Sequence, residues 1–180
     1  MKATGIVRRI DDLGRVVIPK EIRRTMRIRE GDPLEIYTNN DGEVIFKKYS
    51  PINELADGAN QAAEVISKLG GAPAVIFDRD HVVAVSGGQK KEYSERRISP
   101  ALEELLENRK SFALTPDNSQ KLAPIEGIEN TALAVFPIIS SGDITGAVAF
   151  MSNSNNKKAT EQHKMLAQAA AMFLGKQIEE

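Results

Sequence analysis

Residues 5–27 constrain this chain most, because they combine a hairpin pattern, a proline and six arginines in one short stretch. Apolar and basic residues alternate over 6–10, which is typical of a β-strand. Residues 11–14 have turn chemistry, and the β-branched run at 15–18 favours a second strand. Pro19 suits the first position of a helix. The stretch therefore predicts a hairpin followed by a short helix.

The spacing within that short helix divides it into two faces. Ile22 and Met26 are placed to face inward, while Arg23, Arg24 and Arg27 face outward. A helix this short is not stable by itself and must be held by packing.

The first fifty residues form a unit with little core of its own. A second hairpin is predicted for residues 34–47, where two apolar runs flank Asn-Asn-Asp-Gly. The unit has no cysteine and leaves strand edges exposed, and domains of this size are marginal without help. A second copy would pair the edges and double the core. We therefore predict an obligate homodimer through residues 1–51.

Charge divides the chain into two unlike parts. Residues 1–50 carry eleven Lys or Arg against eight Asp or Glu, a net charge of +3, whereas residues 51–180 have a net charge of −4. This asymmetry points to a polyanionic partner for the basic part. Arginine presents a planar fork of donors that grips phosphate or guanine bidentately. The plainer alternative is a solvated charged face with no partner.

A specific signature accompanies the arginines: Gly-Arg-Val-Val-Ile-Pro at 14–19 with Ile-Arg-Arg at 22–24. With it, residues 2–51 resemble the AbrB family of bacterial DNA-binding domains. The resemblance implies a swapped-hairpin β-barrel dimer, double-stranded DNA as partner, and activation or repression of sporulation genes. It also implies a DNA face made of five arginines: Arg8, Arg9, Arg15, Arg23 and Arg24. The family often carries Lys in place of Arg9, and a leucine followed by a small residue in place of Met26-Arg27.

Residues 52–70 are predicted to form a linker helix, with Asn53 as its N-cap and Gly70-Gly71 at its end. Apolar residues recur at heptad spacing along it: Ile52, Leu55, Ala59, Ala62, Ile66 and Leu69. The pattern is compatible with a helix that pairs with another copy and with a helix buried on its own domain.

The remaining chain, residues 52–180, resembles a GAF domain, with Phe-Pro-Ile-Ile-Ser-Ser-Gly-Asp-Ile-Thr-Gly-Ala-Val-Ala-Phe at 136–150 as the most similar part. Two hairpins are predicted at 73–85 and 132–151, a helix at 101–108, and a closing helix at 160–178. Because GAF-like domains bind ligands between the sheet and its covering loops, the resemblance implies a pocket for a small-molecule effector. Its expected lining is Phe77, Val85, Ser86, Gly87 and Pro137.

Several classes of chemistry lack the residues they need. There is no cysteine, and the two histidines lie far apart in sequence, so we expect no metal, no cofactor and no catalytic residues. Ser-Gly-Gly-Gln-Lys at 86–90 lacks the spacing of a phosphate-binding Walker loop. No apolar stretch reaches the length of a membrane span. We therefore expect a cytoplasmic, nucleoid-associated protein.

Together these observations predict an α+β chain: an AbrB-like swapped-hairpin dimer joined by a helix to a GAF-like α/β sensor domain. The expected function is a DNA-binding transcriptional regulator that is not an enzyme and assembles into a homotetramer through its helices and GAF-like domain. One alternative is a metabolite-binding or enzymatic GAF protein whose first fifty residues only oligomerise. Another alternative is an antitoxin. Such chains typically end in a short tail, whereas a GAF-like domain is expected here.

Overall fold

The computed structural model describes residues 3–179. The chain separates into two compact units, Met1–Tyr49 and Ser50–Glu180. This division falls two residues before the boundary expected from the sequence. We describe each unit by itself.

The first unit contains one helix and one hairpin. The helix, α1, spans Lys20–Met26, and Pro19 is its N-cap residue. The strands β1, Leu34–Thr38, and β2, Val44–Lys48, pair antiparallel. Pro19 was expected at the first position of the helix. The helix begins one residue later, at Lys20, because Pro19 has extended backbone angles. The predicted second hairpin is confirmed.

The first predicted hairpin is reduced to its turn. Residues 6–10 and 15–18, expected as strands, form no ladder in the described chain beyond the backbone bond from Asp11 N–H to the Arg15 carbonyl. The reason is physical: strand pairing needs a neighbouring edge, and side chains such as Val7 (86 % exposed) have nothing to pack on. Met26, expected to face inward, is likewise exposed, whereas Ile22 is half-buried.

The second unit is built on a five-stranded antiparallel sheet. Its strands are β3 (Ala74–Asp78), β4 (Val82–Ser86), β5 (Phe112–Ala113), β6 (Ala132–Ser140) and β7 (Asp143–Met151). Their spatial order is β4-β3-β7-β6-β5. Both predicted hairpins are confirmed as β3–β4 and β6–β7.

Helices cover both faces of this sheet. The helices are α2 (Pro51–Glu54), α3 (Ala56–Gly70), α4 (Lys90–Tyr93), α5 (Pro100–Glu107) and α6 (Glu161–Glu179). Ala74 and Ile76 join one apolar cluster with residues of α2, α3 and α6. Val75 and Phe77 join a second cluster with residues of α4 and α5. The alternation along β3 is what a strand buried on both sides requires.

The linker helix differs from its prediction at the start and matches it at the end. Ser50, not Asn53, is the N-cap: its hydroxyl accepts the Asn53 N–H at 3.2 Å. Leu55 then separates α2 from α3. The helix ends where expected, at Gly71, which adopts a φ of +62°.

The heptad pattern of the linker is divided between core and surface. Ile52, Ala59 and Ile66 are buried in the core of their own unit. Leu69, on the same pattern, is 58 % exposed, and the nearby Val65 is also more than half exposed. The helix is therefore buried on its own domain along one face and leaves a second apolar face uncovered.

One close approach fixes α6 on the sheet. A Cβ added at Gly175 would lie 2.2 Å from the carbonyl oxygen of Ile139 on β6. Only glycine lets the helix backbone come this near to the strand.

Candidate nucleic-acid interface

The first turn of the chain is organised by Asp11. Its Oδ1 accepts the backbone N–H groups of Leu13 at 3.0 Å and Arg15 at 2.8 Å, and its Oδ2 accepts Nε of Arg15 at 2.8 Å. Gly14 completes the turn with a φ of +75°, a conformation that favours glycine. Nε is the guanidinium nitrogen that forms this ion pair, and the terminal nitrogens of Arg15 have no hydrogen bond or ion pair within residues 3–179.

These contacts change the acidity of Asp11. The Arg15 backbone N–H, followed by the Arg15 side chain, holds the pKa of the Asp11 carboxyl below its usual value. The carboxylate is thus charged at neutral pH and orients an arginine side chain that is itself 71 % exposed.

Arg8 and Arg9 lie on the extended segment that leads into this turn. Both side chains are exposed. Neither forms an ion pair with any acid within residues 3–179, so their charge is not neutralised inside the chain. Arg8 lies three residues and Arg9 two residues before Asp11, whereas Arg15 follows the turn.

Helix α1 positions Arg23 and Arg24. Their carbonyl oxygens close the end of the helix, accepting the N–H groups of Ile28 at 2.8 Å and Arg27 at 3.3 Å. Arg27 caps the helix in the left-handed conformation, with φ of +52°. The side chains of Arg23 and Arg24 are exposed and form no ion pair in the described part of the chain.

Asp32 anchors the segment that follows α1. The largely buried carboxylate of Asp32 accepts the Arg29 N–H at 2.8 Å and lies 3.6 Å from Nζ of Lys48. Nζ of Lys48 also donates to the Arg27 carbonyl at 2.8 Å. These bonds tie the segment after α1 to strand β2, and the spacing of Arg29 and Asp32 was the only sequence signal for them.

The first unit also exposes an apolar surface, which we call the apolar belt. Its members share large side chains that are at least two-fifths exposed: Val7, Ile10, Leu13, Val16, Val17, Met26, Ile36, Tyr37, Val44 and Phe46. These ten apolar side chains are thus uncovered in the single chain.

In the second unit, three of the five expected pocket residues lie together. Val85, Ser86 and Gly87 border a cavity of about 540 Å³ beside α3. Phe77 and Pro137 do not border it. Phe77 is wholly buried in the second apolar cluster, and Pro137 lies on β6 opposite Ala147.

Among residues 3–179, no group of three or more His, Asp or Glu side chains is arranged to hold a metal ion. Over the same residues, no helix combines the length and the apolar character needed to cross a membrane.

Comparison with protein families matches both parts of the chain. A family described as "Stage V sporulation protein T C-terminal, transcription factor" matches residues 54–179. A second family, described as "Antidote-toxin recognition MazE, bacterial antitoxin", matches residues 7–53.

Individual relatives agree with these families. Stage V sporulation protein T of Bacillus subtilis (strain 168) is 50 % identical over the full length of both chains. Transition state regulatory protein AbrB of the same organism is 49 % identical over 76 residues, covering 42 % of this chain and 77 % of that protein. The expected AbrB resemblance is therefore confirmed.

A solved structure confirms the expected fold of the second unit. The GAF domain from an Acinetobacter phosphoenolpyruvate-protein phosphotransferase superposes with a TM-score of 0.52 at 11 % identity, covering 73 % of this chain and 84 % of that one. This likeness shows the GAF fold alone. With a family model matching most of its length and a full-length relative at 50 % identity, the chain belongs to the stage V sporulation protein T family.

Proposed function

We propose that this protein is a DNA-binding transcriptional regulator of sporulation genes and that Arg8, Arg9, Arg15, Arg23 and Arg24 contact double-stranded DNA. One observation carries the proposal: all five side chains are exposed on the basic unit, and four of them have no acidic partner within residues 3–179. The fifth, Arg15, is held by Asp11 through Nε. Unneutralised arginines on one small unit supply the phosphate contacts that dominate affinity for DNA.

The DNA-binding unit works as a pair of copies. The apolar belt supports this, because its residues face outward in one chain and a second copy supplies the missing surface. The two unpaired flanks of the first turn support an exchange of hairpins between copies, since their backbone groups need strand partners. In such a dimer the five arginines of each chain form one two-fold array.

Two such dimers assemble through the second unit into a homotetramer. α3 exposes Val65 and Leu69, and α6 exposes Met165, Met172 and Phe173. The spacing of 65 and 69, and of 165, 172 and 173, places each set along one side of its helix. Antiparallel neighbours with an apolar outer face are the halves of a four-helix bundle.

The protein acts by binding and not by catalysis, in the cytoplasm and associated with the nucleoid. The description of the matching family, which includes the words transcription factor, and a relative named as a regulatory protein support this role.

The assignment is tested by mobility shift of promoter DNA with the full chain at physiological salt. We expect Arg15→Ala and Arg23→Ala each to weaken binding about tenfold or more, since each removes two charge-assisted contacts from a dimer. Arg79→Ala, in the β3–β4 turn of the second unit, is the matched control and should bind like the unmodified protein. Unchanged binding by both of the first two variants would contradict the site.

A further inference from the structure

The cavity beside α3 is bounded by a tightly placed loop. Gly87 adopts a φ of +72°, and a Cβ added to it would lie 2.0 Å from the Ser67 hydroxyl oxygen. Ser67 is buried and donates to the Ala72 carbonyl at 2.9 Å. The segment that follows β4 therefore lies directly against α3 at Ser67 and forms one side of the cavity.

The lining of this cavity combines apolar and polar surface and carries two ammonium groups. From α3 come Asn60, Glu64 and Lys68. Ser86 comes from the end of β4 and Lys90 from the start of α4. Nζ of Lys68 is paired with Glu64 at 2.6 Å. Lys90 has no ion-pair partner in the part of the chain that the structure describes, which leaves a positive charge at the rim.

The opposite face of the sheet is filled by side chains. Phe77, Tyr93 and Met151 are almost entirely buried in the second apolar cluster, beneath α4 and α5. A ligand on that face would have to displace packed aromatic and thioether groups. The α3 cavity, by contrast, is open and already lined with donors.

We propose that the α3 cavity binds a small metabolite through an anionic group, a phosphate or a carboxylate, held by Lys90 and Lys68. Engaging the anion draws Lys68 away from Glu64, whose carboxylate and the Asn60 amide oxygen then accept donors from the rest of the ligand. Asn60 is suited to this, because its amide nitrogen already donates to the Ala56 carbonyl at 2.8 Å.

The site lies on the helix whose outer face carries Val65 and Leu69. A ligand that contacts Glu64 and Lys68 therefore acts next to the surface proposed for assembly. This consequence for regulation rests on the proposed function, whereas ligand binding itself does not.

The test is isothermal titration of the full chain with inorganic phosphate and, separately, with succinate. We expect saturable binding of at least one probe, and the one that binds identifies the source of the anionic group. Lys90→Gln should weaken that binding about tenfold, and Lys68→Gln should weaken it similarly. Lys91→Gln is the matched control, since it removes an adjacent exposed lysine that does not border the cavity, and should leave the affinity unchanged.

Two results would overturn the inference: no saturable binding of either probe, or equal affinity in the Lys90→Gln and Lys91→Gln proteins. A mobility shift on the same samples separates this inference from the proposed function. If the chain binds the probe but not DNA, the cavity site stands and the proposed function fails. If it binds DNA but not the probe, the proposed function stands and the cavity site fails.

Discussion

Asp11 and Arg15 hold each other across the first turn: Nε of Arg15 donates to one carboxylate oxygen of Asp11, and its backbone N–H donates to the other, both at 2.8 Å. An acid next to a DNA-binding arginine would ordinarily weaken the attraction to phosphate. Of the guanidinium nitrogens the acid engages Nε, so it restrains the side chain and leaves the terminal nitrogens for a ligand.

Replacing Asp11 with Asn tests whether this orientation matters. Asp11→Asn and Asp12→Asn both remove one negative charge, but only the first loses the charged bond to Arg15. We expect Asp12→Asn to bind DNA as tightly as the unmodified protein or more tightly. Asp11→Asn should bind roughly three- to tenfold more weakly than Asp12→Asn, measured by fluorescence anisotropy. Equal affinities of the two variants would show that Asp11 does not position Arg15.

The lowered pKa of Asp11 predicts how the turn responds to acid. A carboxyl with a lowered folded-state pKa contributes stability above its ordinary value, and that contribution is lost as pH falls through the lowered pKa. We expect the NMR titration of the Asp11 side chain to have a midpoint below 3.8, the ordinary value. In Arg15→Ala the midpoint should move upward toward 3.8. A midpoint that is the same in both proteins would contradict the side-chain bond.

A charge placed in the apolar belt should prevent pairing of the first units. We expect Val17→Asp to lower the mass of the full chain in sedimentation equilibrium and to abolish the DNA mobility shift, because a buried carboxylate without a partner is costly. Asn40→Asp adds the same charge at the exposed β1–β2 turn and should keep both properties. A Val17→Asp protein of unchanged mass that still binds DNA would remove the belt from the interface.

The close approach of α6 to β6 predicts opposite effects for two helical glycines. Gly175→Ala should lower the free energy of unfolding by about 1–3 kcal/mol, because the new methyl group meets the Ile139 carbonyl. Gly58→Ala, in α3, meets only Gln177 Oε1 at 3.5 Å and should be neutral or stabilising by up to about 1 kcal/mol. Thermal unfolding compares them, and a Gly175→Ala protein as stable as the Gly58→Ala one would contradict the packing described.

Local chemistry predicted much of the second unit. The helix expected at 101–108 is α5, and it begins after Ser99, whose hydroxyl accepts the Leu102 N–H at 3.1 Å. The same reasoning failed at α2, where Ser50 and Asn53 both have capping side chains. The structure favours Ser50 because Pro51 then takes the first helical position, where its missing N–H costs nothing.

Features that depend on distant contacts could not be predicted from sequence. Residues 6–10 alternate as a strand does, but a strand forms only when it pairs with a neighbouring edge. Residues 3–179 provide no such edge for this segment. Phe77 was expected at a pocket, yet residues of α4 and α5, distant in sequence, pack in the same apolar cluster and bury it. The hydrogen bonds of the Asp11 carboxylate were foreseen as turn chemistry, whereas its hold on the Arg15 side chain depends on the folded turn.

The salt dependence of DNA binding tests the central claim, a two-fold array of arginines, most directly. If about 6–10 phosphates are contacted, the slope of log K against log salt concentration should be about −5 to −9. Because each substitution acts in both chains of a dimer, Arg15→Ala should make the slope shallower by about 1.8, and Arg79→Ala should not change it. A slope near zero, or one that Arg15→Ala leaves unchanged, would contradict the account.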